Sequence, residues 1–479
     1  MRIVCQLVGP ALVLAAAPAL GAELFCSPVL PLEGEPFKVV YRAGTQAEGG
    51  AAFTVRQSDG SVLVERKVPL AEQLDGFRAE LELTVPHNGL LRADVVAGHL
   101  KLRTVVPVIS AKREVNLIYY GMSKELIRRG LVHWVTLVTT CGGEVVEDLN
   151  RRGAKALRWH WGSNVLGDRE AALRAEGREL TPEVARQMGR GIYTADAAEA
   201  VKQGYAGFGL DEFGGYAASE FLENTKAFVR GMIDAREELP PGFILAAWHG
   251  GPIDSELMGL YKQAVEFLLP EAYLLDIVPS QLGTELIDKD LEGRLITARS
   301  NDMFTAPYGS RCRVIPSVDL TDRIPVDEYE GFFRMLRREF PEVRGIAFFN
   351  VLSEEHYETY RVVDQLCLDY FIHPVLTFQP DSISFDRFGD RSVIARLSNI
   401  GAMDSGPVTV RLLVDDKEVG RATVPSVPAG FSRVDNRATA RFHWRPKASG
   451  TFRLRAEVVD AGDATVLDPG AEASMYLRP

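Results

Sequence analysis

The chain is poor in every residue pattern that marks metal, nucleotide or serine-nucleophile chemistry. Its five cysteines in 479 residues include no C-x-x-C pair, which argues against thiolate metal clusters and redox motifs. The eight histidines are isolated from one another, so no set falls at metal-ligand spacing. No glycine-rich phosphate loop of the P-loop or dinucleotide type occurs, and no G-x-S-x-G that would build a serine hydrolase elbow. No metal and no cofactor are therefore expected. Excess positive charge is lacking too: 54 Lys and Arg stand against 65 Asp and Glu, a net charge of −11 spread along the chain. Nucleic acid and anionic membrane are poor partners for such a surface. Beyond the first 22 residues no apolar run is long enough to span a bilayer.

What is present begins with Arg2, an apolar run from Val8 to Leu20, and small residues at Ala19, Gly21 and Ala22. This is the pattern of a secretory signal peptide over residues 1–22, and it predicts an exported protein, periplasmic or extracellular. Four cysteines then remain: Cys26, Cys141, Cys312 and Cys367. Their wide spacing favours buried free thiols over a disulfide framework.

The texture of the chain changes twice. From 23 to 112 short alternating runs such as Phe37 to Tyr41, Ala52 to Arg56 and Ala79 to Val85, with a turn at Ser58-Asp59-Gly60, predict a β-sandwich. From 113 to 373 eight apolar runs, separated in several places by helical periodicity, predict a closed (β/α)₈ barrel. Its length of about 260 residues suits that fold, for which about 250 is usual. From 374 to 479 alternation returns in Ser392 to Leu397, Val408 to Val414 and Phe452 to Asp460, with a turn at Asp415-Asp416, predicting a second, Ig-like sandwich. The fold class is thus multidomain: a central α/β TIM-type barrel flanked by all-β domains.

The strand Gly207-Phe208-Gly209-Leu210 runs into Asp211-Glu212 and a Gly214-Gly215 turn, so it delivers carboxylates to its C-terminal tip, where barrel enzymes place catalytic groups. Alternation lets only one of the pair face inward. Glu212, sharing parity with Phe208 and Leu210, is the first candidate, and Asp211 is open to a helix-capping role. The sixth strand adds Glu271 and Tyr273, and the seventh Asp319. Two carboxylates across a pocket are the minimum for glycosidic cleavage, one holding a proton and the other ionised. Either Glu271 or Asp319 serves as the partner. Indole rings and imidazoles at strand ends, Trp159, His160 and Trp161 after the third strand and Trp248 and His249 after the fifth, are candidates to line a sugar site, with Tyr120 and Asn350 beside them. Each has a bland alternative as a core aromatic or a satisfied structural side chain.

The barrel with acid-tipped strands, its aromatic rims and the flanking sandwiches resembles exported barrel-type glycoside hydrolases. The last 100 or so residues, through Ser398-Asn399-Ile400-Gly401, Pro428-Ala429-Gly430, Phe442-His443-Trp444-Arg445-Pro446 and Gly450-Thr451-Phe452, resemble the adhesion-related CARDB-like modules of exported bacterial proteins. The first resemblance implies cleavage of glycosidic bonds in a poly- or oligosaccharide by carboxylate acid-base catalysis. The second implies an accessory or binding module. The alternative is a catalytically inactive barrel that binds carbohydrate or protein at the cell envelope.

Overall fold

A computed structural model describes residues 21–479 apart from 48, 74–75, 161–163, 212–221, 251–252, 273–288, 305–311, 322–323, 350–356, 387–390 and 431–435. The N-terminal part is two four-stranded antiparallel sheets face to face. One contains Ala22–Ser27, Pro36–Ala43, Gly76–Thr84 and Ala71–Gln73, and the other Val62–Val68, Ala51–Gln57, Gly89–Ala97 and Leu100–Val108. Period two decides the layers: Phe37, Val39, Tyr41, Phe53, Val55 and Leu81 meet between the sheets, while Lys38 pairs across strands with Glu80 at 2.6 Å.

The central body is a closed barrel of eight parallel strands. In chain order they are Asn116–Gly121, Leu137–Thr140, Lys155–His160, Gly207–Leu210, Ile244–His249, Phe267–Ala272, an interrupted seventh made of Arg313–Val314 and Ser317–Asp319, and Gly345–Phe349. Each pairs with its neighbours in parallel register, and the eighth closes on the first through Ala347 opposite Ile118. The break in the seventh strand falls at Ile315-Pro316, where proline has no N–H for a regular ladder. Helices Gly143–Arg151, Leu222–Ala235, Ser255–Ala264, Val326–Glu339 and Tyr357–Cys367 cover the outside.

Two apolar clusters separate the faces of the strands. Ile118, Leu137, Leu157, Ala246, Trp248, Leu269, Ala347 and Phe349 fill the lumen. Tyr119, Val138, Ala156, Phe208, Leu210, Leu245, Leu268 and Phe348 pack against the helices. Strand four therefore turns Gly207 and Gly209 inward, and neither position has room for a side chain. A Cβ at Gly209 would lie 1.9 Å from the Thr139 carbonyl oxygen, and one at Gly207 1.9 Å from that of Ile244.

The C-terminal part again pairs two sheets, antiparallel except where Thr465–Val466 runs parallel to Val375–Phe385. Arg437–Phe442, Val393–Asn399 and Val375–Phe385 form the first with the short Thr465–Val466. Lys417–Val424, Val408–Val414, Gly450–Asp460 and Gly470–Leu477 form the second. The turn expected at Asp415-Asp416 is a two-residue hairpin loop with φ of 48° and 64°, the paired left-handed geometry that matches strand twist.

The Ser398-Asn399-Ile400-Gly401 segment joins this sandwich to the barrel. Asn399 is buried and uses its whole amide: Oδ1 accepts from the Val375 and Gly401 N–H groups, and Nδ2 donates to the Met403 and Val427 carbonyls, all within 2.7–3.0 Å. Two buried guanidinium groups from the barrel, Arg113 and Arg337, both donate to the Ile400 carbonyl. The four cysteines named above form no disulfide among the described residues, and Cys26, Cys312 and Cys367 are buried while Cys141 is half-buried. Among the described residues no helix is long and apolar enough to cross a membrane.

Candidate active site

The parity of the strands decides which side chains meet at the C-terminal mouth of the barrel. Residues two apart share a face, so the inward rows end in Tyr120, Thr139, Trp159, Trp248, Glu271, Asp319 and Phe349. On strand four the inward row Gly207, Gly209 continues to Asp211, which is half-buried. The expectation that Phe208 and Leu210 mark the lumen side is thus reversed, because both rings and chains lie in the helix layer. The two glycines are the lumen row itself. Glu212 lies outside the described residues, as do Trp161, Tyr273 and Asn350.

Three carboxylates therefore come from inward rows of three strands. Asp211 accepts a hydrogen bond from the Tyr120 hydroxyl at 2.8 Å, a link from strand one to strand four across the mouth. Glu271 and Asp319 are buried at the ends of strands six and seven. Their neighbour Ser317 donates to the Leu269 and Pro270 carbonyls and so ties strand seven to strand six. A second brace comes from Arg294 in the helix Lys289–Ser300. It is buried and donates at 2.8 Å to the carbonyls of both His249 and Glu271, fixing the ends of strands five and six against each other.

Trp159 stands at the rim, on the inward face of strand three, with 43% of its surface exposed. Trp248 does not. It is fully buried inside the lumen, its indole N–H donates to Thr139 Oγ1 at 2.8 Å, and its ring packs edge-on against Tyr120 and Phe349. From strand five the ring reaches strand two, beside the strand-four row that has no side chains. It forms the floor of the mouth, not its rim. His160 and His249 are displaced from the lining for the same reason of parity: His160 packs on Phe208 and Tyr193, and His249 on Tyr261, all in the helix layer. Burial holds the His160 imidazole below its usual range. Cys141, just past the end of strand two, packs with the helix-layer cluster, and burial and then Glu144 push its thiol up to about 12.

Two participants escaped the sequence reading. Thr139, an ordinary strand residue, supplies the acceptor for Trp248. Arg294 carried a legible signal, for it stands on the apolar stripe of its helix with Leu291, Leu295 and Ala298. A cavity of about 430 Å³ lined by Arg236, Phe243, Glu266 and Arg313 lies at the opposite, N-terminal end, where barrels spend residues on stability.

Residues 390–467 match the CARDB family. The CARDB segment falls within the C-terminal sandwich, which bears out the resemblance drawn from its motifs. The whole chain is also similar to solved β-glucuronidases. One, FMN-binding and from Faecalibacterium prausnitzii L2-6, shares 8% identity over 96% of this chain and 74% of its own, with a TM-score of 0.32. Another, from Parabacteroides merdae with glycerol in its active site, shares 10% over 96% and 63%, TM-score 0.29. A third, from Ruminococcus gnavus, shares 10% over 69% and 62%, TM-score 0.31. The chain spans less than two thirds of the last two proteins, and nothing about chemistry transfers at these scores. No curated protein matches the chain.

Proposed function

We propose that the barrel is an exported glycoside hydrolase acting on a poly- or oligosaccharide, with its acid-base pair drawn from the mouth carboxylates. The observation that carries this reading is the convergence of Asp211, Glu271 and Asp319 on inward rows at the C-terminal ends of three strands, beside an exposed indole. Glycosidic cleavage needs one carboxyl group to protonate the leaving oxygen and a second, ionised, to attack the anomeric carbon or to activate water. Asp211, half-exposed and held by Tyr120, is the carboxylate substrate reaches first. Its neighbour Glu212 competes for the same task from the adjacent position. Glu271 or Asp319, both buried, is the partner. Trp159 offers a flat apolar face to the C–H side of a sugar ring.

The same reading takes residues 1–22 as a cleaved signal peptide, 23–112 and 374–479 as flanking sandwiches and 113–373 as the catalytic unit. The CARDB match supports an extracytoplasmic setting. A second reading, a glycan-binding barrel without turnover, is favoured by one observation: Trp248 fills the lumen between strands five and two at the level of the inward carboxylate rows. Assay of the purified protein and its Asp211→Asn, Glu271→Gln and Asp319→Asn variants on a polysaccharide panel separates them. Hydrolysis lost in a carboxylate variant that still binds supports the enzyme. Binding without hydrolysis in every form supports the second reading, and an N-terminal mass of the protein recovered outside the cytoplasm tests export.

A further inference from the structure

The two sandwiches meet each other as well as the barrel. The first ends in the strand Leu100–Val108, and the chain then enters strand one through residues 109–115. The second returns over the same end: its Ile400 carbonyl takes the Arg113 and Arg337 guanidinium groups, and Arg337 also donates to the Val343 carbonyl just ahead of strand eight. This is the N-terminal end of the barrel, opposite the mouth. Val29, Leu30 and Ile109 of the first sandwich and Ile400, Ala402 and Met403 of the second belong to one buried apolar cluster with the helix layer of the barrel.

Polar contacts cross from one sandwich to the other beside that cluster. Asn88, between the strands Gly76–Thr84 and Gly89–Ala97, accepts at Oδ1 from the Asp404 N–H at 2.6 Å, and the buried Ser110 donates its N–H to the Ala402 carbonyl at 2.8 Å. One carboxylate holds both of these residues. Glu33 accepts from Asn88 Nδ2 at 2.8 Å, from Ser110 Oγ at 2.9 Å and from the Ala111 N–H at 3.0 Å, while its own N–H donates to the Ile109 carbonyl at 2.9 Å. Burial raises the Glu33 carboxyl, but these hydrogen bonds outweigh it and hold the group below its ordinary value, so it is an ionised acceptor at neutral pH. Hydrogen bonds to a charged acceptor are stronger than those between neutral groups. On the far side Asp404 is fixed in turn, since its Oδ1 accepts from the Ala429 N–H at 2.7 Å. All of the Glu33 bonds are made within the first sandwich, yet they fix the two groups that reach the second.

We infer that Glu33 is the latch of a clamp between the two sandwiches, which locks the CARDB-bearing sandwich at the N-terminal end of the barrel and keeps it from swinging toward the mouth. Only His373 and Pro374 separate the last helical turn of the barrel, Leu368–Ile372, from the strand Val375–Phe385. Domains joined within a chain move relative to one another by default unless their interface is large and apolar. The shared apolar cluster and the clamp together remove that freedom, so the module is a fixed mount and not a tethered one. Its placement is independent of whether the barrel cleaves sugars.

Single-molecule energy transfer on the full-length protein reads the placement. Dyes are attached at Val96→Cys and Tyr476→Cys, exposed positions of the first and second sandwich, with Cys5 and Cys141 replaced by Ser in every form. The parent is expected to show one narrow distance population, which broadens or splits in Asn88→Ala and in Glu33→Gln, the latter keeping the shape of the side chain while removing its charge. A broad or multiple distribution in the parent overturns the lock, and variants as narrow as the parent overturn the latch. Amide hydrogen exchange gives a second reading that needs no dyes. In Glu33→Gln the amides of Ala402–Ser405 should exchange about tenfold faster, while those of strand one, Asn116–Gly121, keep the parent's rates. Unchanged protection at Ala402–Ser405 overturns the role of Glu33, and so does an equal loss in strand one, which would mark general unfolding.

Discussion

The hydroxyl of Tyr120 lies 2.8 Å from Asp211 Oδ2, joining the ends of strands one and four over the floor formed by Trp248. This contact fixes one carboxylate of the mouth by a side chain that is itself wedged edge-on against the indole. Losing the hydroxyl releases Asp211 without removing its charge. In Tyr120→Phe turnover is expected to fall by up to about tenfold, the worth of one hydrogen bond of about 1.4 kcal/mol. In Asp211→Asn it is expected to fall by about 10²–10⁴-fold, the usual contribution of a general acid or base. Initial rates on the best substrate of the panel give both values. An Asp211→Asn enzyme with full activity would pass the role to Glu212.

Trp248 ties the interior together, and the prediction there concerns stability alone. Trp248→Ala opens a cavity in the lumen and is expected to cost about 3–5 kcal/mol, measured by urea unfolding. Thr139→Val keeps the volume but leaves the indole N–H without its acceptor in a buried site, for a cost of about 1–3 kcal/mol. Trp248→Phe and Thr139→Val each remove the same hydrogen bond, so the double variant should cost less than the sum of those two single changes.

The layout of the fold was legible because both periodicities are strong. Phe37-Lys38-Val39-Val40-Tyr41 alternates as a half-buried strand should, and the three-and-four spacing of Tyr329, Phe332, Phe333 and Leu336 is the buried face of the helix Val326–Glu339. Which face of strand four is inward was not legible. Large apolar residues are ordinarily assigned to a core, but a barrel has two, and in this strand the larger residues serve the helix layer while glycines face the lumen. That ambiguity is what favours Glu212 over Asp211 from sequence alone, and a place at a strand end, with no choice of face, is what nominates His160 and His249. Trp248 was misjudged for a different reason. An indole near a strand end reads the same whether it stacks on a ligand or crosses the lumen, and only the distance to Thr139 separates the two.

Asn399 gives a prediction about the sandwich turn that Arg113 and Arg337 of the barrel hold at the Ile400 carbonyl. Replacing it with Leu keeps a similar volume but strands two N–H groups and two carbonyls in a buried seam. The expected loss is at least about 3 kcal/mol. Gly401→Ala strikes the same seam by sterics, since its Cβ would lie 1.9 Å from the His373 carbonyl oxygen. Both variants should split one thermal transition into two, with the sandwich melting first. A single transition at the original temperature in both would show that the seam contributes little.

The same seam carries two groups whose titrations oppose each other. Burial pushes His373 down to about 4, against the milder pull of Asp463, and pushes Asp369 up to about 6, reinforced by Glu330 and opposed by a hydrogen bond from Gln365. His373 is lowered on folding, so its contribution is present above its ordinary value near 6.5 and is lost as pH falls toward 4. Asp369 is raised on folding, so its contribution is present below its ordinary value near 3.8 and is lost as pH rises through 6. Between pH 4 and 6 the two slopes offset, which predicts a melting temperature that changes little with pH across that interval. Asp369→Asn removes one side of the balance. It should melt higher than the parent at pH 7.5, where the parent keeps a partly buried charge, and show little gain at pH 4. His373→Gln removes the other side and should gain stability relative to the parent as pH falls from 6.5 to 4. Thermal denaturation of the three proteins at half-unit pH steps reads both effects, and parallel curves for all three would refute the assignment of these slopes to the pair.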